Sequence, residues 1–279
     1  MVIPPIHLAS HGVIELAGPD AASLLQGLLT QDISGQPAGS VRHGAMLTPQ
    51  GKYLFDALVF RVDGDRLLLD CVGAEALARR LMLYRLRAQV TITVRPDLVV
   101  LASGSAMDGA LAAGPDPRHP ALGWRVIADA VPPGAGPEAD YTALRLLAGI
   151  PELAVDLEAE QDFALEGLLD ELNGVDFHKG CYVGQEMTSR MKRRTTVRTK
   201  LVRVRYDGTA PVRGTPLEAD GWEVGRMRSG IDGVGLALLR LDRALPAARA
   251  GTPILAGETA VKPDPPEWLV IPETAQPQP

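Results

Sequence analysis

Apolar residues at Ala21, Ala22, Leu24, Leu25, Leu28 and Leu29 recur at helical spacing behind Gly18-Pro19-Asp20, which predicts a helix with Asp20 as its N-cap. Two dense apolar runs follow a turn-rich stretch at 35–51. Tyr53 to Val62 and Arg66 to Val72 read as strands of a hairpin turning at Asp63-Gly64-Asp65. Leu77, Leu81 and Tyr84 return to helical spacing over 74–87, and 89–94, 98–102 and 124–128 are strand-like. Loops rich in Gly, Ala, Pro and Asp cover 103–120 and 132–137, and 141–148 and 163–172 read as short amphipathic helices.

After Arg194 the pattern changes. Lys200 to Tyr206 alternates apolar and charged residues, and glycines recur at 208, 214, 221, 225, 230, 233 and 235. Short strands with turn signals at this spacing predict a small antiparallel barrel. The expected organisation is an α+β body over 1–195, a barrel domain over 196–262 and a proline-rich tail over 263–279.

The 279 residues are 46% hydrophobic and 22% charged, with a net charge of −6. That composition excludes a wholly disordered or fibrous chain and disfavours a dedicated nucleic-acid binder. No run of 18 apolar residues predicts a membrane span. The opening MVIPPIHLASHG has no basic n-region and no arginine, so the expected address is the cytoplasm. Only Cys71 and Cys181 are present, which rules out a CxxC zinc or dithiol site. His7 and His11 lie beside Pro4-Pro5 in an extended arm and do not suggest a metal site. Cys71, Trp222 and Trp268 read as packing residues.

The densest chemistry lies at Lys179-Gly180-Cys181-Tyr182-Val183-Gly184-Gln185-Glu186. Lys179-Gly180 reads as a turn into a helix over 182–190, which places Cys181 at a helix N-terminus beside a lysine. Both features favour a thiolate. The two glycines leave room for a close backbone or ligand approach. The residues alone leave a second reading open, in which Cys181 is a small buried core residue.

This octapeptide resembles the KGCYxGQE motif of the YgfZ family of folate-binding, iron–sulfur-related proteins, a family similar to the aminomethyltransferase (T-protein) of glycine cleavage. The stretches 18–32 (GPDAASLLQGLLTQD), 47–56 (LTPQGKYLFD), 141–145 and 149–152, with Val224-Gly225-Arg226, extend the resemblance over most of 8–245. It implies a cloverleaf of subdomains around a central hole that holds tetrahydrofolate, followed by an antiparallel β-barrel. It also implies a role in maturing or repairing iron–sulfur enzymes through the motif cysteine, with folate and iron–sulfur client proteins as partners. Two departures count against glycine-cleavage chemistry. Phe55-Asp56 retains one carboxylate where T-proteins carry two, and the T-protein counterpart of the motif lacks the cysteine.

On this resemblance Cys181, as nucleophile or transient ligand, and Lys179 are the expected catalytic residues. Asp56 and Glu166 are candidates for a pterin's donor edge, Tyr182 for stacking on the ring, and Arg190 for the glutamate tail. Gln185 and Glu186 complete the expected cofactor-binding set, while Lys192 to Arg194 offer either tail pairing or weak RNA contact. In one route the thiolate attacks an oxidised or misligated sulfur centre; in another it accepts a one-carbon adduct that passes to folate. A true folate-dependent aminomethyl or methyl transferase and a non-catalytic folate-sensing or RNA-associated adaptor are the alternatives. A monomer is expected.

Overall fold

The dense apolar runs become strands buried on both faces. A computed structural model describes residues 4–193 and 198–271. Its first six strands are β1 (Ile6–His7), β2 (His11–Ala17), β3 (Val41–Leu47), β4 (Tyr53–Arg61), β5 (Arg66–Val72) and β6 (Thr91–Val94). Strands β2 to β6 form one antiparallel sheet in the order β3-β4-β5-β2-β6. Helices α1 (Ala21–Leu28) and α2 (Ala74–Arg85) cover its outer face over Ile14, Leu16, Ala57, Val59, Leu67 and Leu69. The inner face carries Leu58, Phe60 and Leu68 into a second, larger core. An antiparallel sheet covered on both sides loses the usual apolar–polar alternation, which explains the continuous runs.

Strands β7 (Val99–Ser103), β8 (Ala112–Pro115) and β9 (Trp124–Ala128) join β1 in a second sheet of order β1-β7-β9-β8. Helices α3 (Glu138–Ala148) and α4 (Leu153–Asp156) lead into a turn-built segment and then α5 (Gln185–Arg193). The C-terminal part is a closed six-stranded antiparallel barrel. Its strands are β10 (Thr199–Tyr206), β11 (Pro216–Ala219), β12 (Trp222–Ile231), β13 (Val234–Arg240), β14 (Ile254–Ala256) and β15 (Thr259–Pro263), in the order β10-β13-β12-β11-β14-β15. Helix α6 (Leu241–Arg249) packs across it. Closure leaves no edge strand to protect, so the short barrel strands tolerate frequent glycine turns.

Several expectations change. The stretch 163–172 is a chain of tight turns, not a helix, with Leu168 and Asn173 at positive φ of 66° and 56°. Leu165, Leu168, Leu169 and Leu172 are all buried, so the apolar spacing reflects complete enclosure rather than one helical face. Strand β3 was hidden in the turn-rich stretch by Gly44, where a Cβ would stand 3.1 Å from that of Gln31. Asp20 precedes α1 without capping it; its carboxylate accepts from Gln89 N at 2.7 Å. Cys71 is buried as read, whereas Trp222 is largely exposed and packs little. Residues 194–197 and 272–279, which hold the expected domain break, Arg194 and the end of the tail, lie outside the described residues.

Candidate functional site

The cysteine loop is built against the C-terminal end of α1, where helix carbonyls lack intrahelical partners. The ammonium of Lys179 donates to the carbonyls of Gln26, Leu29 and Gln31 at 2.7, 2.6 and 2.8 Å. It also lies 5.1 Å over the Tyr182 ring. Asp176 Oδ1 accepts from the backbone of His178 and Lys179 at 2.7 and 3.2 Å, closing the turn before the motif. Val183 N donates to Gly27 O at 3.3 Å. These bonds hold 176–183 in place without any helix of its own.

Cys181 is exposed on this loop. Helix α5 begins at Gln185, four residues later, so Cys181 is not at the helix N-terminus that the sequence predicted. The Lys179 ammonium is turned to the end of α1. Its charge serves the carbonyls of α1, and burial there lowers its pKa to about 8. The reason is local. Gly184 has φ +86°, which breaks the backbone between the cysteine and the helix. A Cβ on Gly184 would stand 2.7 Å from Thr48 O and 2.9 Å from Leu47 Cβ, so this glycine lets the motif seat against the turn before β4. Gly180 has open space around it instead.

The other motif residues divide between core and surface. Tyr182 is buried, its hydroxyl faces Thr188 without a well-formed hydrogen bond, and burial pushes its pKa up to about 12. Gln185 is half-buried, while Glu186 and Arg190 face solvent on α5. Lys192 pairs with Asp170 at 2.8 Å, so that part of the basic run is engaged within the chain.

Asp56 lies on the inner face of β4. It is buried, and both oxygens are engaged: Tyr53 Oη donates to Oδ1 at 2.8 Å, and His43 Nε2 bonds Oδ2 at 3.1 Å. The other ring nitrogen of His43 faces Leu172 O at 3.3 Å, linking Asp56 to the turn-built segment. Glu166, in that same segment, is half-buried. Its Oε2 accepts from Phe163 N at 2.9 Å, and burial raises its pKa. A cavity of about 540 Å³ reaches Tyr53 from the side of Val72, Leu157 and Arg213.

Sequence reasoning missed the polar layer between the two sheets. Arg125 is completely buried; it donates to Asp70 at 2.8 Å and to Tyr141 Oη at 2.7 Å. Arg118 joins Asp116, Tyr141 and Glu152 at 2.8, 2.6 and 3.2 Å, and His11 bonds Asp70. Burial alone would raise the carboxyl of Asp70, but His11 and Arg125 outweigh it and hold it below the ordinary range. The available signal was a carboxylate inside each apolar run, Asp56 and Asp70, because a buried charge demands a partner. The structure therefore gathers Lys179, Cys181 and Tyr182 in one loop, sets Gln185, Glu186 and Arg190 on the following helix, and leaves Asp56 and Glu166 on separate elements beneath.

Comparison with known proteins places these features. Residues 6–108 match the GCVT N-terminal domain and residues 198–270 match the CAF17 C-terminal beta-barrel domain. The chain is 36% identical over 265 residues to the iron–sulfur cluster assembly factor IBA57, mitochondrial, of Homo sapiens, covering 81% of this chain and 74% of that protein. Its counterpart in Mus musculus is 32% identical over 273 residues, covering 84% and 76%. The aminomethyltransferase T of the glycine cleavage system from Bartonella henselae superposes with a TM-score of 0.71 over 96% of this chain and 86% of that one. Its 16% identity makes this a likeness of fold. The expectation of a cytoplasmic address is corrected, because these relatives are named mitochondrial. The reading rested on the composition of the first residues, which carries little weight against such relatives.

Proposed function

The chain belongs to the IBA57 family of iron–sulfur cluster assembly factors, and from that premise we propose that it acts on cluster-bearing partner proteins through the thiol of Cys181. The YgfZ resemblance is thereby corrected to a related family of the same fold. The observation that supports the proposal is an exposed thiol on a loop fixed by Lys179 and Gly184. Among the described residues no group of three or more His, Cys, Asp or Glu side chains is arranged to hold a metal ion. A cluster is therefore cargo: Cys181 supplies one thiolate and the partner supplies the remaining ligands.

The test is cluster transfer from a cluster-loaded carrier protein to an apo [4Fe–4S] enzyme in the presence of this chain. Wild type accelerates the gain of enzyme activity, and Cys181→Ser abolishes that acceleration. Equal acceleration by both proteins refutes the role of the thiol.

A reduced folate is the proposed small-molecule ligand of the body. Two observations support it. The buried hydroxyl of Tyr182 makes no well-formed hydrogen bond, with Thr188 facing it, and among the described residues Glu166 keeps one oxygen free of hydrogen bonds on a half-buried carboxyl. Arg190 makes no ion pair among the described residues and suits the glutamate tail. Asp56 reaches a ligand only by exchanging a bond with His43 or Tyr53. When bound, the folate supplies a one-carbon carrier. In isothermal titration with tetrahydrofolate, Glu166→Gln and Tyr182→Phe weaken binding and Cys181→Ser does not. Absence of binding by the wild type removes folate from the account.

A further inference from the structure

Helix α2 and the turn after it carry four arginines, Arg79, Arg80, Arg85 and Arg87, that pair with no carboxylate among the described residues. Elsewhere arginine is mostly committed: Arg42, Arg66, Arg95 and Arg213 each meet an acidic side chain. In a chain of net charge −6, four unpaired arginines within nine positions are a local excess of positive charge.

The same surface is apolar. Met82, Leu83 and Leu86 are 48%, 67% and 86% exposed. One exposed leucine is ordinary, but three large apolar side chains in five positions form a patch. Beside it opens a groove of about 440 Å³ between α2 and the start of β4, lined by Leu54, Phe55, Ala76, Arg79, Arg80 and Leu83, and also by Glu160. The Nε of Arg80 is buried there without a hydrogen-bond partner. An apolar floor, a cationic rim and an orphaned donor together define what fits. The occupant is a protein segment with an aliphatic or aromatic anchor flanked by carboxylates.

The position of the groove relates it to the cysteine. A Cβ on Gly51 would lie 3.0 Å from Met187 of α5, and one on Gly184 would lie 3.3 Å from the Cα of Gly51. Gly51 and Phe55 are four residues apart, roughly 13 Å along extended chain. Phe55, in the groove, therefore lies within about 13 Å of Gly51, which packs against Gly184 and Met187 just after the cysteine loop.

We propose that the α2 groove, rimmed by Arg79 and Arg80 and floored by Leu54, Phe55 and Leu83, is the docking site for an acidic, apolar-anchored segment of the iron–sulfur partner that Cys181 serves. This rests on the cluster-handling reading above and adds the surface that holds the partner.

The test uses the full chain in a strain lacking its own copy of this protein, scored by the activity of a [4Fe–4S] enzyme. Arg79→Glu with Arg80→Glu is expected to lower rescue at least about tenfold, because a reversed rim repels carboxylates. The lysine double variant, Arg79→Lys with Arg80→Lys, is expected to keep most of it. Both variants must match wild type in melting temperature. If they do not, Leu83→Asp, at an exposed position, takes their place with the same expected loss. A photo-crosslinking residue at position 83 identifies the occupant. The proposal expects a cross-link to a partner peptide bearing carboxylates beside an apolar residue, lost in the glutamate variant. Full rescue by the glutamate variant, or cross-links only to lipid, to a second copy of this chain or to nothing, overturns the docking site. Failure of the wild type to rescue overturns instead the cluster-handling reading on which it rests.

Discussion

Lys179 Nζ sits 2.6 Å from the carbonyl oxygen of Leu29, so the residue two before the exposed cysteine serves as a clasp on the end of α1. Lys179 thereby anchors the loop that carries the thiol. Replacing it with methionine strands the carbonyls of Gln26, Leu29 and Gln31, at a cost of about 1–3 kcal/mol at neutral pH.

The same clasp has a pH signature. The folded state releases the Lys179 proton near pH 8, whereas the unfolded chain holds it to about 10.5. Between these values the unfolded state binds more protons, so stability rises from pH 8 toward 10.5, in addition to what the three hydrogen bonds supply below pH 8. The stability gap between wild type and Lys179→Met should widen from pH 8 to pH 10, measured by urea unfolding. A gap that narrows contradicts the assignment.

Glu171 gives the opposite slope. Burial and the neighbouring Asp170 carboxylate push its pKa up to about 7, against the attraction of its partner Lys200. The unfolded chain ionises this group near 4.5 and the fold holds the proton longer, so stability is full below pH 4.5 and declines toward pH 7. Glu171→Gln should flatten the fall in melting temperature across pH 5 to 7. Parallel curves for the two proteins would show that Glu171 titrates normally.

Tyr182→Phe removes a buried hydroxyl. Thr188 is the polar side chain facing it, without a well-formed hydrogen bond, so the ligand-free variant should lie within about 1 kcal/mol of wild type. Calorimetry checks this. A loss above 1 kcal/mol would mean that the hydroxyl has a structural partner.

Arg125 ties the two sheets of the body together through Asp70, Tyr141 and Asp116. Arg125→Met leaves buried acidic groups short of their counter-charge and should cost about 3–5 kcal/mol in chemical unfolding. A cost under 1 kcal/mol would show that His11 and Arg118 suffice on their own.

Much of this molecule was legible in its sequence where one physical rule acted alone. The Asp63-Gly64-Asp65 hairpin has the expected strands, with Arg61 opposite Leu67, and the glycine-punctuated C-terminal segment closes into a barrel. Misreadings arose where tertiary packing overrode local pattern. The leucines at 165, 168, 169 and 172 mimic a helix because all four are enclosed, and the cysteine looked helix-borne because the positive φ of Gly184 leaves no trace in spacing. The Arg125 layer was illegible for a related reason, since its partners come from distant parts of the chain, and the Asp56–His43 pair depends on the pairing of β4 with β3, the strand that the glycine-rich spacing hid.

The most direct measurement is the activity of a [4Fe–4S] enzyme in a strain that depends on this protein and carries Cys181→Ser at wild-type abundance and melting temperature. The account predicts loss of nearly all rescue with the serine variant and full rescue with Cys71→Ala, whose thiol is buried. Equal rescue by Cys181→Ser and wild type would contradict it.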